Sequence, residues 1–157
     1  MADAVRYQEL LNAMLYYCDY RDRCSNEVML KINGLTEDEA IKKKVIQTLK
    51  ELNVYSDERY TEAFVSGKLR IKKWGRNKIK SALYLKKIPK NLIVKALNKL
   101  IDEEQYQEVA ESLFLRKWKS LNGKNNYSTK QKLYRYLYSK GYESELINSI
   151  LKKHLST

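Results

Sequence analysis

The chain has 157 residues, of which 43% are hydrophobic and 32% charged, with only five Gly and one Pro. So few chain breakers argue for helices rather than many short strands, in one compact domain or a short array of helical units. The net charge of +12 points to an anionic partner, nucleic acid or an acidic protein assembly.

The apolar period stays near that of an α-helix almost throughout, and predicts helices over about 5–20, 25–33, 36–53, 56–73, 76–87, 89–101, 103–121, 129–140 and 143–155. In the first third, residues 1–55 carry 8 Lys and Arg against 9 Asp and Glu, a net of −1. Gly34 falls just past a helix end, and Thr36 with Glu39 reads as a capping box. Cys18 and Cys24 lack CxxC spacing, so with one histidine in the chain they make no zinc site and are expected as reduced thiols.

The middle third is different. Residues 56–101 carry 13 basic against 3 acidic residues, a net of +10, whereas residues 102–157 carry 10 against 7, a net of +3. A charge serving only solubility would not concentrate in this way. Ser56 is the expected N-cap of the fourth helix, with Asp57 and Glu58 in its first turn. Tyr60, Phe64, Gly67, Ile71 and Trp74 then recur at four and three residues, which predicts one inward stripe. In the fifth helix Ile79, Ala82 and Leu83 are expected inside. Arg76, Lys80, Tyr84 and Lys87 fall on a strip beside them, and Lys68, Arg70, Lys72, Lys73 and Lys78 come from the preceding helix and turn. These nine residues are the predicted contact set, because Lys and Arg bind phosphates without reading sequence and a Tyr can stack on a base. Pro89 suits a first helical position. The helix after it would expose Asn91, Lys95, Asn98 and Lys99, as a helix-turn-helix recognition element would.

The last third holds the one long loop, 120–128, then Ser128 with Gln131 as a second capping box, and Gly141 just past a helix end. Tyr134 and Tyr138 lie one turn apart, facing either a partner or a neighbouring unit.

The elements repeat. At a shift of 46, Tyr60 aligns with Tyr106, Ser66 with Ser112, Leu69 with Leu115 and Arg70 with Arg116. Beyond the 120–128 loop the shift is 54, aligning Ile79 with Leu133, Leu83 with Leu137, Ile88 with Tyr142, Ile93 with Ile147 and Leu97 with Leu151. Val28 and Ile32 align with Ile79 and Leu83 at a shift of 51. The expected fold is therefore all-α, three tandem three-helix repeats (1–55, 56–101 and 102–157) forming an elongated, curved molecule. Enzyme signals are poor: His154 has no orienting partner in the pattern, and Gly67-Lys68 and Gly123-Lys124 lack the rest of a phosphate loop. No enzyme activity, cofactor or metal is expected. The N-terminus carries no secretory pattern and no stretch reaches about 18 apolar residues, so a soluble, cytoplasmic chain without membrane contact is expected.

The segment "SDERYTEAFVSGKLRIKKWGRNKIKSALYLKKIPKNLIVKAL" (56–97) resembles the central repeat of RecX proteins, bacterial modulators of the RecA recombinase. The resemblance rests on Asp57, Glu58, Arg59 and Tyr60, then Ala63, the basic run, Gly75 and Ile79, and the closing run Ile88, Leu92, Ile93, Ala96 and Leu97. Residues 20–52 resemble the family's first repeat near Arg23 and Ser25, although Cys24 stands where an aromatic or His is common. Lys140-Gly141 keeps the family's turn, and Lys87-Ile88 departs from it. The resemblance implies a non-enzymatic regulator that lies in the groove of the RecA–DNA filament and restrains its extension, ATPase and strand exchange, in recombination, repair and the SOS response. It implies RecA as partner, with weak, non-specific contact to single- or double-stranded DNA, made by a monomer. The alternative is a free-standing DNA-binding protein, either non-specific or of the helix-turn-helix kind.

Overall fold

A computed structural model describes residues 2–155; Met1, Ser156 and Thr157, at the outer ends of the first and third expected units, lie outside the described residues. Within them the chain is all-α. The helices are α1 (Ala2–Tyr20), α2 (Ser25–Leu35), α3 (Glu39–Glu51), α4 (Asp57–Gly67), α5 (Arg76–Leu85), α6 (Lys90–Leu100), α7 (Glu103–Ser120), α8 (Tyr127–Ser139) and α9 (Ser144–Leu155). A π-helical turn, Lys68–Lys72, extends α4.

Close helix packing runs within consecutive triplets. Met14, Val28, Ile32, Val45 and Leu49 centre the first core, Val65, Ile79, Leu83 and Ile93 the second, and Phe114, Leu133, Leu137 and Ile147 the third. The aligned pairs Val28–Ile32, Ile79–Leu83 and Leu133–Leu137 are all at most 1% exposed. Burying each such side chain stabilises by roughly 1.5–3 kcal/mol. The cores are not sealed from one another. Cys24, at the start of α2, packs in the second core, and Leu69 and Ile101 touch both the second and the third.

The joints between triplets follow one rule. The first amides of a helix have no partner within it, and a side chain of the next triplet accepts from them. Ser25 N–H donates to Asp57 Oδ1 at 2.7 Å, and Arg76 N–H donates to the Tyr106 hydroxyl at 2.9 Å. Backbone bonds cross both joints, from Ser56 N–H to the Arg23 carbonyl at 3.4 Å at the first, and from Gly75 N–H to the Lys140 carbonyl at 2.8 Å and Asn77 N–H to the Gly141 carbonyl at 2.9 Å at the second.

Helix ends differ from the sequence expectation where a better acceptor lies nearby. Ser56 caps α4 as expected, accepting from Arg59 N–H. At α3, however, the cap is Asp38, which accepts from Ile41 N–H, and Thr36 instead accepts from Asp38 N–H. At α8 the cap is Asn126, not Ser128, so the helix begins inside the expected loop. A short Asx side chain reaches the free amides as well as Ser or Thr does. Pro89 stands one place earlier than expected, as the N-cap of α6. Gly34 lies inside α2, which runs on to Leu35, whereas Gly141 is left-handed (φ 100°) as expected. An unforeseen capping box joins Cys24 and Glu27 at the start of α2.

Glu27 is also the electrostatic centre of the first joint. Its carboxylate accepts from Cys24 N–H at 3.3 Å and pairs with Arg21 at 2.8 Å and with Lys86 of the second triplet at 3.5 Å. Burial pushes this carboxyl up, but the bonds from Arg21 and Cys24 and the nearby cations outweigh it and hold the group below its ordinary 4.5. The unfolded chain therefore binds this proton more tightly than the folded one. The resulting stability is present above the ordinary value and is lost as pH falls through the folded value. Glu27→Gln is expected to cost about 1–2 kcal/mol at neutral pH. In urea unfolding at several pH values, the gap from the parent should shrink below about pH 4. A gap constant down to about pH 3 would contradict this account.

Candidate functional site: a basic face on the second triplet

The π-helical turn decides which residues face out. Ile71 was expected in the inward stripe with Tyr60, Phe64, Gly67 and Trp74, but it is 78% exposed. A π turn wraps more residues per revolution than an α turn, so the α period breaks there. Leu69 takes the inward place, and Arg70 and Lys72 stand exposed on either side of Ile71. Lys73 ends the turn in the left-handed region (φ 56°), and its carbonyl accepts from the Tyr142 hydroxyl at 2.7 Å.

Trp74 follows, partly buried against the second core. The ammonium groups of Lys68 and Lys78 lie 4.6 and 4.5 Å from its ring centroid, and Lys68 is also 5.2 Å from that of Phe64. Each such contact is worth about 0.5–1 kcal/mol at a half-exposed site. It holds a long cationic side chain beside the turn instead of leaving it free in solvent. Farther along α5, Lys80 is half-buried, Tyr84 is half-exposed and Lys87 is exposed, while Ala82 is only partly covered.

Lys87 holds in the second triplet the place that Gly141 holds in the third. Its φ is 58°, and the bonds around it, Lys87 N–H to the Tyr84 carbonyl and Ile88 N–H to the Leu83 carbonyl, repeat those of Gly141 and Tyr142 to Tyr138 and Leu137. The same left-handed helix ending is thus made with Gly in the third triplet and with Lys in the second. A side chain in that conformation is strained by about 1 kcal/mol relative to Gly. The second triplet carries that strain and gains a cation at the end of the strip.

Arg76 has a different setting from the other eight residues. Its side chain is 20% exposed, pairs with Glu143 at 2.8 Å and with Glu103, and lies 4.4 Å from the Tyr106 ring centroid. Tyr106 in turn donates to Glu143, and burial first, then the neighbouring carboxylate, pushes its hydroxyl well above the ordinary range. Arg76 therefore pins the second triplet to the third. In a double-mutant cycle, Arg76→Met and Glu143→Gln are expected to couple by about 1–3 kcal/mol in urea unfolding. Additive effects would show that the pair does not hold the joint. Glu143 and Tyr106 carried no signal of this role in the sequence, because their partner lies 67 and 30 residues away.

The other seven cations of the set, Lys68, Arg70, Lys72, Lys73, Lys78, Lys80 and Lys87, have no carboxylate within ion-pairing distance among the described residues. The α6 lysines differ: Lys95 pairs with Glu58 at 3.1 Å and Lys99 with Glu62 at 3.0 Å. Beside the π turn a cleft of about 400 Å³ opens at the second joint, with Arg70 and Lys73 on one side and Asp102 and Gln105 on the other.

A row of three-helix units, the middle one carrying cations without carboxylate partners among the described residues, is a repeat-built, all-α architecture. Two family models match it, "RecX, second three-helix domain" over residues 56–97 and "RecX, third three-helix domain" over 103–151. The chain belongs to the RecX family. It is 32% identical over 155 residues to the "Regulatory protein RecX" of Clostridium beijerinckii, covering 98% of this chain and 71% of that protein. It is 38% identical over 122 residues to the "Regulatory protein RecX" of Clostridium perfringens strain 13, where the match covers 76% of this chain and 55% of its relative. The match thus spans little more than half the length of that relative. The crystal structure of RecX from Lactobacillus salivarius superposes with a TM-score of 0.83 at 25% identity, covering 96% of this chain and 97% of that one. Among the described residues no helix is long and apolar enough to cross a membrane.

Proposed function

We propose that this chain binds the RecA–DNA filament and restrains its extension, ATPase and strand exchange, acting as a cytoplasmic monomer without catalysis of its own. The three units, 1–55, 56–101 and 102–157, divide the work: the middle one docks and the outer ones set its span along the filament. The observation that carries this reading is the set of seven cations between Lys68 and Lys87 without a carboxylate partner among the described residues. They lie in a chain whose relatives are named regulatory proteins. Unpaired surface cations cost little in isolation and become favourable when an anionic surface arrives. Both the filament's DNA and an acidic protein surface supply one.

The helix-turn-helix alternative is less supported, since two of its four candidate base-reading residues, Lys95 and Lys99, are paired with α4. The test is RecA's DNA-dependent ATPase with and without the purified chain. A fall in rate at stoichiometric amounts is expected, and an unchanged rate would sink the proposal. Tight, salt-sensitive DNA binding without RecA, accompanied by no filament effect, would favour the free-standing DNA-binding protein instead.

A further inference from the structure

The cleft at the second joint is built unlike an ordinary packing gap. Its inner wall is apolar, made by Leu69, Trp74, Ile101 and Val109. Its rim carries Ser66, Arg70 and Lys73 on one side and, on the other, Gln105 and Asp102, whose carboxylate is occupied by the Gln105 N–H at 3.0 Å. Among the described residues the side chains of Ser66, Arg70, Lys73 and Gln105 make no hydrogen bond or ion pair, and the Trp74 indole N–H is likewise free. The tyrosines that close the cleft, Tyr106 and Tyr142, have their hydroxyls committed elsewhere, to Glu143 and to the Lys73 carbonyl. The walls are thus held by the joint itself, and the recognition groups at the mouth are left open.

We propose that this cleft takes one unpaired nucleotide of single-stranded DNA, with the base against the apolar wall and the phosphate between Arg70 and Lys73. The volume, about 400 Å³, admits a base with its sugar. An aliphatic or phenyl anchor from a protein would fill the wall but make no use of the Ser66, Gln105 and indole donors. The edge of a base offers acceptors and donors to all three, and the guanidinium and ammonium groups suit a phosphate. The inference rests on the reading that the basic face of the second triplet meets nucleic acid. It adds that the contact is made to a base as well as to the backbone.

The experiment compares a short oligothymidylate with an abasic oligomer of equal length and charge. Binding to the full chain is measured by anisotropy of labelled oligomers, and Trp74 fluorescence is followed in a Trp118→Phe background. Oligothymidylate is expected to bind about tenfold or more tightly than the abasic oligomer and to alter the indole signal. Gln105→Ala and Arg70→Ala, both at exposed positions, should each reduce that preference, and Lys72→Ala should weaken both oligomers alike. Equal affinity for the two oligomers overturns the inference. So does an indole response to an acidic phenylalanine-containing peptide but not to oligothymidylate, which would assign the cleft to a protein anchor. RecA ATPase restraint by the parent is measured alongside. Restraint without base preference overturns only the cleft assignment, and base preference without restraint overturns only the proposed function.

Discussion

Replacing Gly75 by alanine is expected to unfold the second joint. A Cβ at this position would lie 2.4 Å from the Gly141 carbonyl carbon and oxygen and 2.5 Å from Tyr142 N. All three are backbone atoms, so no side-chain rotation relieves the clash. The two segments can separate only by giving up the hydrogen bonds from Gly75 N–H and Asn77 N–H, which lie at 2.8 and 2.9 Å. They also draw Arg76 away from Glu143 and the Tyr142 hydroxyl away from the Lys73 carbonyl. The expected loss is about 3 kcal/mol or more, the range of large single-site effects with a named steric cause. Gly34→Ala is the internal comparison. It lies inside α2 with nothing within 4 Å of the added carbon, and is expected to stabilise by about 0.5–1 kcal/mol through helix propensity alone. Urea unfolding of both variants checks the pair. A Gly75→Ala protein as stable as the parent would mean that the two glycines do not meet in solution.

The largest functional effect is expected from the double charge reversal Lys72→Glu with Lys73→Glu. Neither lysine has a carboxylate partner among the described residues, so the change breaks no ion pair of the fold. It converts the outward end of the π turn from attraction to repulsion toward an anionic partner. Affinity for single-stranded DNA at low salt should fall by about tenfold or more, and the slope of log affinity against log salt should flatten by about 1.5. Restraint of RecA's ATPase should be lost at stoichiometric amounts. The two assays separate the partners: restraint kept while DNA affinity falls would place the docking contact on RecA itself. No change in either would remove the π turn from the interface.

Much of the architecture was legible in the chain because its causes are local or periodic. The all-α class follows from scarce Gly and Pro and an unbroken helical period, and the inward register of Ile79–Leu83 and Leu133–Leu137 follows from the repeat. The concentration of +10 in residues 56–101 is a property of the sequence alone. The RecX family was also readable there, since it rests on the spacing of buried and basic residues along the chain.

Three features were decided only by tertiary contact. Ile71 carries the pattern of a core residue, but the π turn puts Ile71 out and Leu69 inside, where it packs against both the second and the third core. Arg76 has the spacing of a surface cation, but Glu143, 67 residues on, makes it a joint. The cleft exists only because α4, the π turn and α7 meet at that joint. Helical period and charge count are sums over neighbouring residues and can be read one turn at a time. The close approach of two glycines, an ion pair between a carboxylate and a guanidinium, and an apolar cleft with unpaired donors at its rim arise between distant segments, and no local pattern encodes them.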